Sequence, residues 1–136
     1  MEISPEKFKA IQERFELNHF PRLMGIKIDE IEKGRARLSL DVNETHRQLA
    51  GVMHGGAIAT LIDTAVAMAI VGVSEPGDKF TTVEMKVNYL SPIVEGHIVA
   101  EARLIRDGRR IVVADCDVFD PQGKLAAKGL LTYIRL

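Results

Sequence analysis

Residues 54–73 read HGGAIATLIDTAVAMAIVGV, and this stretch decides how the rest of the chain is interpreted. It is apolar on nearly all sides of a helix, which is typical of a helix that a sheet surrounds. Its alanines would allow strands to approach closely. The stretch is marginal in length for a membrane span, and hydrocarbon would penalise the carboxylate of Asp63 at its middle. The sequence therefore predicts a buried central helix.

Signals for a helix and two strands precede this stretch. Ser4-Pro5-Glu6 is typical of a helix start, with serine as the N-cap and proline in the first turn. Residues 1–24 are therefore interpreted as an N-terminal helical segment, whose apolar face is formed by Phe8, Ile11 and Phe15. Alternating apolar and polar residues predict strands over 25–32 and 35–42, joined at Lys33-Gly34 and followed by a polar loop.

The chain after the central helix is predicted to be β-structure. The predicted strands cover residues 80–90, 97–106, 109–120 and 124–136. An Asp-Gly pair between two such stretches is a strong hairpin signal, so Asp107-Gly108 is predicted to be a two-residue turn. The order of elements predicts a single α+β domain spanning residues 1–136, in which an antiparallel sheet of about five or six strands wraps one long helix.

The composition is that of an ordinary globular domain. The formal net charge is -1 and no run of basic residues is present, which disfavours nucleic acid as a partner. The single cysteine, Cys116, cannot form an internal disulfide, and the charged N-terminus lacks the apolar core of a signal peptide. The cytoplasm is therefore the expected location, and no membrane is expected as a partner.

Asp63 is the one charged side chain between His54 and Glu75. A carboxylate in such surroundings costs several kcal/mol unless it is paired or solvated, so its presence needs a reason. Thr60, Asp63, Thr64 and Ala67 have helical spacing and share one small, mildly polar face. The residues alone leave two interpretations open: a working acid in a site, or a buried acid that caps a backbone group or pairs with an arginine.

The start of the helix, His54-Gly55-Gly56, offers a second half of a site. Unobstructed N–H groups at a helix N-terminus suit a developing oxyanion, although a glycine pair also serves a tight turn or a close strand crossing. Gly55 and Asp63 are eight residues apart, or about 12 Å along a helix. Groups that act on one carbonyl must each lie within about 3–3.5 Å of the reacting atoms. If both residues act, they come from different subunits, so the sequence suggests a dimer with two equivalent interface sites.

Two segments together resemble a known family. HGGAIATLID, followed by VEMKVNYLSP at residues 83–92, is similar to the hotdog-fold acyl-CoA thioesterases of the phenylacetic-acid-degradation (PaaI-like) type. The resemblance extends from about Gly25 to the end of the sequence. It implies the hotdog fold, two subunits that join their sheets edge to edge, and often a dimer of dimers. It also implies an acyl-CoA substrate with an aryl-acetyl or medium-chain fatty acyl group, hydrolysed to free acid and CoA.

The resemblance also implies roles for five residues. Asp63 matches the catalytic acid, which either attacks the thioester or activates water. Gly55 matches the residue whose N–H polarises the thioester carbonyl, and His54 a histidine that helps to position the carbonyl or the leaving group. Thr82 matches a hydroxyl residue that holds the water in some members. Gln48 falls where several members carry an asparagine near the thioester. Taken alone, His54 and Thr82 also allow purely structural roles.

The remaining chemically active side chains give weaker signals. Basic residues that could meet the CoA phosphates are Arg109, Arg110, Lys86, Lys124 and Lys128. Such residues are usually solvated strand ends. Cys116 alternates with apolar neighbours and is predicted to pack in the core rather than to act as a nucleophile. The four histidines lack metal-ligand spacing, so neither a metal nor a cofactor other than the CoA of the substrate is expected.

Two other functions remain as alternatives. Residues 18–21 (NHFP) are similar to a motif of hotdog dehydratases, but there the motif leads closely into the central helix and here it lies before the first strand, so this likeness is interpreted as coincidence. Residues 41–46 (DVNETH) resemble the D-x-N-P-x-H of hotdog enoyl-CoA hydratases without its proline, which makes a hydratase the first alternative. A non-catalytic acyl-CoA-binding protein on the same fold is the second. An acid at position 63 favours the thioesterase, because neither alternative needs it.

Overall fold

The computed structural model describes all 136 residues, Met1–Leu136. Its helices are α1 (Pro5–Glu16), α2 (His19–Met24) and α3 (Gly55–Val71), and a 3-10 turn covers Glu44–His46. Its strands are β1 (Lys27–Glu32), β2 (Arg35–Val42), β3 (Phe80–Tyr89), β4 (Gly96–Asp107), β5 (Ile111–Phe119) and β6 (Leu125–Arg135). None of the helices has the length and hydropathy needed to cross a bilayer.

The six strands form one antiparallel sheet in the order β1-β2-β4-β5-β6-β3. The central strands β2, β4, β5 and β6 all pack against α3, while β1 and β3 are the two edges. The predicted α+β arrangement, a long helix wrapped by an antiparallel sheet, is confirmed. Both edges matter for the site, because an edge strand has one side free for pairing with another chain.

The interface between α3 and the sheet forms the core. The helix buries seven side chains on the sheet side: Ile58, Leu61, Ile62, Ala65, Val66, Ala69 and Ile70. Burying a large aliphatic side chain contributes about 1.5–3 kcal/mol. The strands beneath it supply small residues, among them Ala100, Ala114 and Ala127. At Gly129 of β6 an added Cβ would lie 2.8 Å from the side chain of Ile62, so glycine is needed for the helix to sit this close.

The N-terminal segment closes the C-terminal end of α3. The Ser4 side chain caps α1, as predicted, and α1 buries Ile11 and Phe15. Lys7 Nζ donates to the carbonyl oxygens of Gly72 and Ser74 at 3.1 and 3.0 Å. A cation is favoured there because the carbonyls at a helix C-terminus carry negative potential. The opposite end of α3, which begins at Gly55, has no such cover.

The structure corrects three local predictions. Asp107 does not lie in the hairpin turn but pairs with Val112 as the last residue of β4. The reason is a bulge near Leu104, which shifts the register; the turn then falls on the three residues that follow Asp107. The first strand begins at Lys27 rather than Gly25, because α2 takes up the preceding residues. The fifth strand begins at Ile111 rather than at residue 109, because Arg109 and Arg110 lie in the turn after Asp107. The polar loop before α3 contains a 3-10 turn.

Candidate active site

The carboxylate of Asp63 lies a little over two turns into α3, half-buried, at the seam between β6 and β3. Its Oδ1 accepts hydrogen bonds from Thr82 Oγ1 at 2.9 Å and from Tyr133 Oη at 2.5 Å. It accepts no bond from a backbone N–H and forms no salt bridge. The interpretation of Asp63 as a capping residue or as the partner of an arginine is therefore wrong. Two neutral hydroxyls hold its negative charge.

The two hydroxyls meet at Asp63 because of the sheet register. Thr82 of β3 and Tyr133 of β6 are direct cross-strand partners, so both side chains project from the same face, towards α3. Immediately after Thr82 a bulge shifts the β3–β6 register. The predicted pair of Asp63 and Thr82 is thus brought together by the fold.

Tyr133 was not predicted from the sequence. Its side chain is buried, at 3% exposed, and its ring packs at a tilt against Phe80 with 5.8 Å between centroids. Burial, reinforced by the hydrogen bond to Asp63, raises the pKa of the Tyr133 hydroxyl well above its ordinary value. It therefore remains a donor at neutral pH. The sequence does contain a signal for Tyr133: it alternates with Gly129 and Leu131, which places it on the buried face of a strand. A tyrosine on such a face needs a hydrogen-bond partner for its hydroxyl.

The first turn of α3 presents a free backbone donor. His54 is the N-cap, and its Nδ1 accepts from the N–H of Gly56 at 2.8 Å. In the neutral ring the proton is then on Nε2, which is available as a donor. The N–H groups of Ala57 and Ile58 turn back to the His54 carbonyl, whereas the N–H of Gly55 has no acceptor within the chain. This N–H lies at the positive end of the helix dipole.

Tyr89 holds the same turn from the side of β3. Its hydroxyl donates to the carbonyl oxygen of Gly55 at 2.9 Å. A Cβ added to Gly55 would lie 3.2 Å from the Tyr89 ring, closer than is comfortable for a side chain. Glycine at this position therefore serves a close approach between the strand and the helix start. This is a structural reason for Gly55 in addition to its exposed N–H.

Gln48 lies on the exposed loop before α3. It shares an open depression with His54 and with Arg47, Leu49 and Gly51 of the loop. Its Oε1 accepts from the N–H of Ala50 at 2.5 Å, so the amide NH₂ is the part that can donate outwards. The fold therefore groups Gln48, His54 and Gly55 at one end of α3, and Asp63 and Thr82 further along it. These two groups are separated by about 12 Å of helix within one chain.

Basic residues proposed for the CoA phosphates lie outside both groups. Lys86 is exposed on β3, and Arg109 and Arg110 are exposed at the tip of the β4–β5 hairpin; none of the three forms a salt bridge. Lys128, in contrast, is bound to Asp117 at 2.7 Å. The three free cations remain predictions as phosphate ligands.

Cys116 is fully buried in the core, as predicted. Burial, as the largest cause, raises the pKa of its thiol far above the ordinary value. Since the thiolate is the reactive form, this residue is not a nucleophile at neutral pH.

The residues that resemble a hydratase motif have structural roles. His46 is buried; its Nδ1 accepts from the N–H of Asn43 at 3.0 Å and its Nε2 donates to the Met24 carbonyl at 2.7 Å. Both ring nitrogens are therefore occupied. Asp41 is bonded to His97 at 2.8 Å on the exposed end of β2. His19 and Phe20 belong to the short helix α2 rather than to α3. Asp41 and His46, the acid and the histidine of the second motif, are therefore both bonded within the chain.

Comparisons with known proteins agree with this geometry. Residues 50–127 match the family profile described as the thioesterase superfamily. A protein of Saccharolobus solfataricus is 35% identical over 111 residues, which are 82% of this chain and 73% of that one. Acyl-coenzyme A thioesterase 13 of Homo sapiens is 30% identical over 124 residues, 89% of this chain and 88% of that one. A solved mutant of the phenylacetic acid degradation protein PaaI from Thermus thermophilus superposes with a TM-score of 0.79 at 27% identity, covering 86% and 98%.

Proposed function

Because the chain belongs to the thioesterase superfamily and is a hotdog-fold thioester hydrolase, we propose that its substrates are acyl-CoA thioesters with an aryl-acetyl or medium-chain fatty acyl group. The similarity to an acyl-coenzyme A thioesterase and to a PaaI protein supports this substrate class. The observation that carries the proposal is the Asp63 carboxylate, which is bound through Oδ1 by two neutral hydroxyls and leaves Oδ2 without a partner in the chain.

In the proposed reaction the two ends of the site act on opposite sides of the thioester carbonyl. The N–H of Gly55 polarises the carbonyl oxygen from the helix N-terminus, where the dipole stabilises developing negative charge. His54 and Gln48, beside it, position the thioester through their free N–H donors. Asp63 supplies the negative group that drives attack on the carbonyl carbon.

Thr82 favours a water-mediated route. Its hydroxyl proton is donated to Asp63, so its oxygen can only accept a further hydrogen bond. A water that donates one proton to Thr82 and the other to Asp63 Oδ2 keeps its lone pair directed at the carbonyl. Asp63 then removes a proton as the new C–O bond forms and the C–S bond breaks, and the thiolate of CoA leaves and is protonated. Direct attack by Oδ2 is the competing route.

A second copy of the chain is needed to complete this site. The edges of the sheet indicate where that copy binds. Strand β1 is short, carries charged side chains, and is bridged at its end by Glu2, whereas the ten residues of β3 have no partner on their outer side. Exposed apolar side chains cluster on β3, where Val83 is 59%, Met85 38% and Tyr89 53% exposed. An open, apolar edge strand is a template for strand addition.

The course of β3 explains how such a dimer would unite the two halves. Within one chain, Thr82 touches Asp63 near the start of β3, and Tyr89 touches Gly55 at its end. Two β3 strands paired antiparallel about a two-fold axis put the Thr82 end of one beside the Tyr89 end of the other. Asp63 of each copy then approaches Gly55 of its neighbour. The dimer is proposed to pair further into a dimer of dimers.

Thiol release from a panel of aryl-acetyl and fatty acyl-CoA thioesters tests the proposal. Wild type is compared with Asp63→Asn and with Asp41→Asn, a matched control on the exposed end of β2. We expect the first variant to lose about 10²–10⁴-fold in kcat, because its amide cannot take a proton, and the second to retain activity. Binding of acyl-CoA without thiol release by wild type would favour a binding protein or a hydratase instead, and loss of thiol release in Asp41→Asn would show that the effect of Asp63→Asn is not specific to the proposed site.

A further inference from the structure

We propose that Tyr133 is a positioning residue whose hydroxyl fixes the Asp63 carboxylate so that Oδ2 is the oxygen that acts on the substrate. The proposal rests on the proposed catalytic role of Asp63. Tyr133 itself does not reach the reacting atoms, since it lies beneath the carboxylate and is buried between α3 and the sheet.

The contacts of Tyr133 define the conformation of Asp63. Its hydroxyl oxygen is 2.5 Å from Asp63 Oδ1 and 2.9 Å from the main-chain carbonyl oxygen of the same residue. One hydroxyl therefore touches both the backbone and the side chain of Asp63, which restricts the side-chain torsions. Thr82 adds a second donor to Oδ1 at 2.9 Å. With both donors on one oxygen, the carboxylate is asymmetric and Oδ2 is left for chemistry.

Asp63 has no salt-bridge partner, so the hydroxyls of Thr82 and Tyr133 are the groups that orient its carboxylate. No other charged side chain lies on α3 between His54 and Glu75. Arg135, two residues after Tyr133 on β6, is committed to Asp107 at 2.5 Å and to Ser74 at 3.3 Å. A direct cation would orient the carboxylate but would also reduce its basicity, whereas neutral donors orient it and leave its full negative charge. Thr82 and Tyr133 are thus suited to orienting Asp63 as a base without neutralising its charge.

Tyr133→Phe isolates the hydroxyl. The ring can still pack against Phe80, so the variant should fold. We expect kcat to fall about ten- to a hundredfold with little change in KM, because a mispositioned catalytic group costs up to about that factor. A loss confined to kcat is what a mispositioned catalytic group produces, whereas a packing defect would also lower the temperature of thermal unfolding.

Phe80→Leu is the matched control. It removes the ring contact of Tyr133 but leaves the hydroxyl in place. If Tyr133 acts through its hydroxyl, the control keeps most of the wild-type kcat. Equal losses of kcat in both variants would show that Tyr133 serves packing alone, and would overturn the proposal.

The side-chain torsions of Asp63, compared in crystals of wild type and Tyr133→Phe, separate this proposal from the function on which it rests. The carboxylate should leave its wild-type rotamer in Tyr133→Phe, whether or not the protein turns over the acyl-CoA panel. A changed rotamer in a protein without turnover would reject the proposed substrate and keep the Tyr133–Asp63 link. An unchanged rotamer would overturn the link, even in an active enzyme.

Discussion

The first turn of α3 and its middle are built in opposite ways. The first turn is exposed, its proposed functional group is the backbone N–H of Gly55, and it is held from the side by Tyr89 and by the His54 ring. The middle is half-buried, its proposed functional group is the side chain of Asp63, and it is held by Thr82 and Tyr133. One region is a donor with positive potential and the other an acceptor with negative charge.

This difference is the reason why the proposed site needs two chains. A rigid helix fixes the donor and the acceptor about 12 Å apart, and no side-chain movement brings a backbone N–H closer. Each region is nevertheless fully organised, with its own tyrosine donating from the sheet. The Gly55 region of one copy and the Asp63 region of another can act together if the two chains associate. Strand β3 contacts both regions, through Tyr89 and Thr82. The following variants should affect one region and spare the other.

Among these variants, Gly55→Val should cause the largest loss of activity, by disturbing the first turn of α3. The new Cβ and its methyl groups meet the Tyr89 ring, which already lies 3.2 Å from the Cβ position, and the helix start must shift. A displacement of this kind should lower kcat/KM about a hundredfold. The hydrogen bonds of Asp63 should be unchanged, since its hydroxyl partners are not touched. Wild-type turnover in this variant would remove the N–H of Gly55 from the mechanism.

Thr82→Val should have a smaller effect, confined to the middle of α3. Valine keeps the shape of threonine but deletes the 2.9 Å bond to Asp63 and the acceptor for a water. A decrease in kcat of roughly tenfold is expected. It corresponds to about 1.4 kcal/mol, close to the low end of what a hydrogen bond to a charged group contributes. Steady-state kinetics at saturating substrate measures it. Thr81→Val, on the exposed neighbouring position, is the control and should retain activity.

His54→Ala should act on stability as well as on rate. Loss of the N-cap leaves the N–H of Gly56 without its acceptor, which should lower the free energy of unfolding by about 1 kcal/mol. His54→Asn restores a capping side chain, so thermal unfolding should recover while the loss in rate remains. Recovery of both in the asparagine variant would limit His54 to a capping role.

Tyr89→Phe should have the smallest effect. It deletes a bond from a half-exposed hydroxyl to the Gly55 carbonyl, and such bonds contribute about 0.5–1.5 kcal/mol. A few-fold change in kcat/KM is expected, because the ring still packs over Gly55. A loss as large as that of Tyr133→Phe would mean that the first turn of α3 depends on its tyrosine as strongly as the region around Asp63 does, and would contradict the difference between the two regions.

The sequence was sufficient for the elements and for half of the site. The apolar stretch predicted α3 and its single acid drew attention to Asp63, while alternation and turn residues together predicted six strands, because these signals are local. Tyr133 and Tyr89 were missed as site residues because their contacts depend on which residues face each other across the sheet and helix, 70 and 34 positions apart in the chain. Alternation gives the face of a strand but not its partner. The bulges in β3 and β4 also leave no clear trace in composition.

Mixing two inactive variants tests most directly the claim that each site draws Asp63 and Gly55 from different copies. Asp63→Asn and Gly55→Val chains are unfolded together and refolded in equal amounts, and dimers are checked by sedimentation. Half of the dimers are mixed, and each mixed dimer has one site with both an intact acid and an intact N–H, so the activity should recover to about a quarter of wild type. If both groups of a site come from one chain, no mixed dimer has an intact site, and the mixture would remain as inactive as its components.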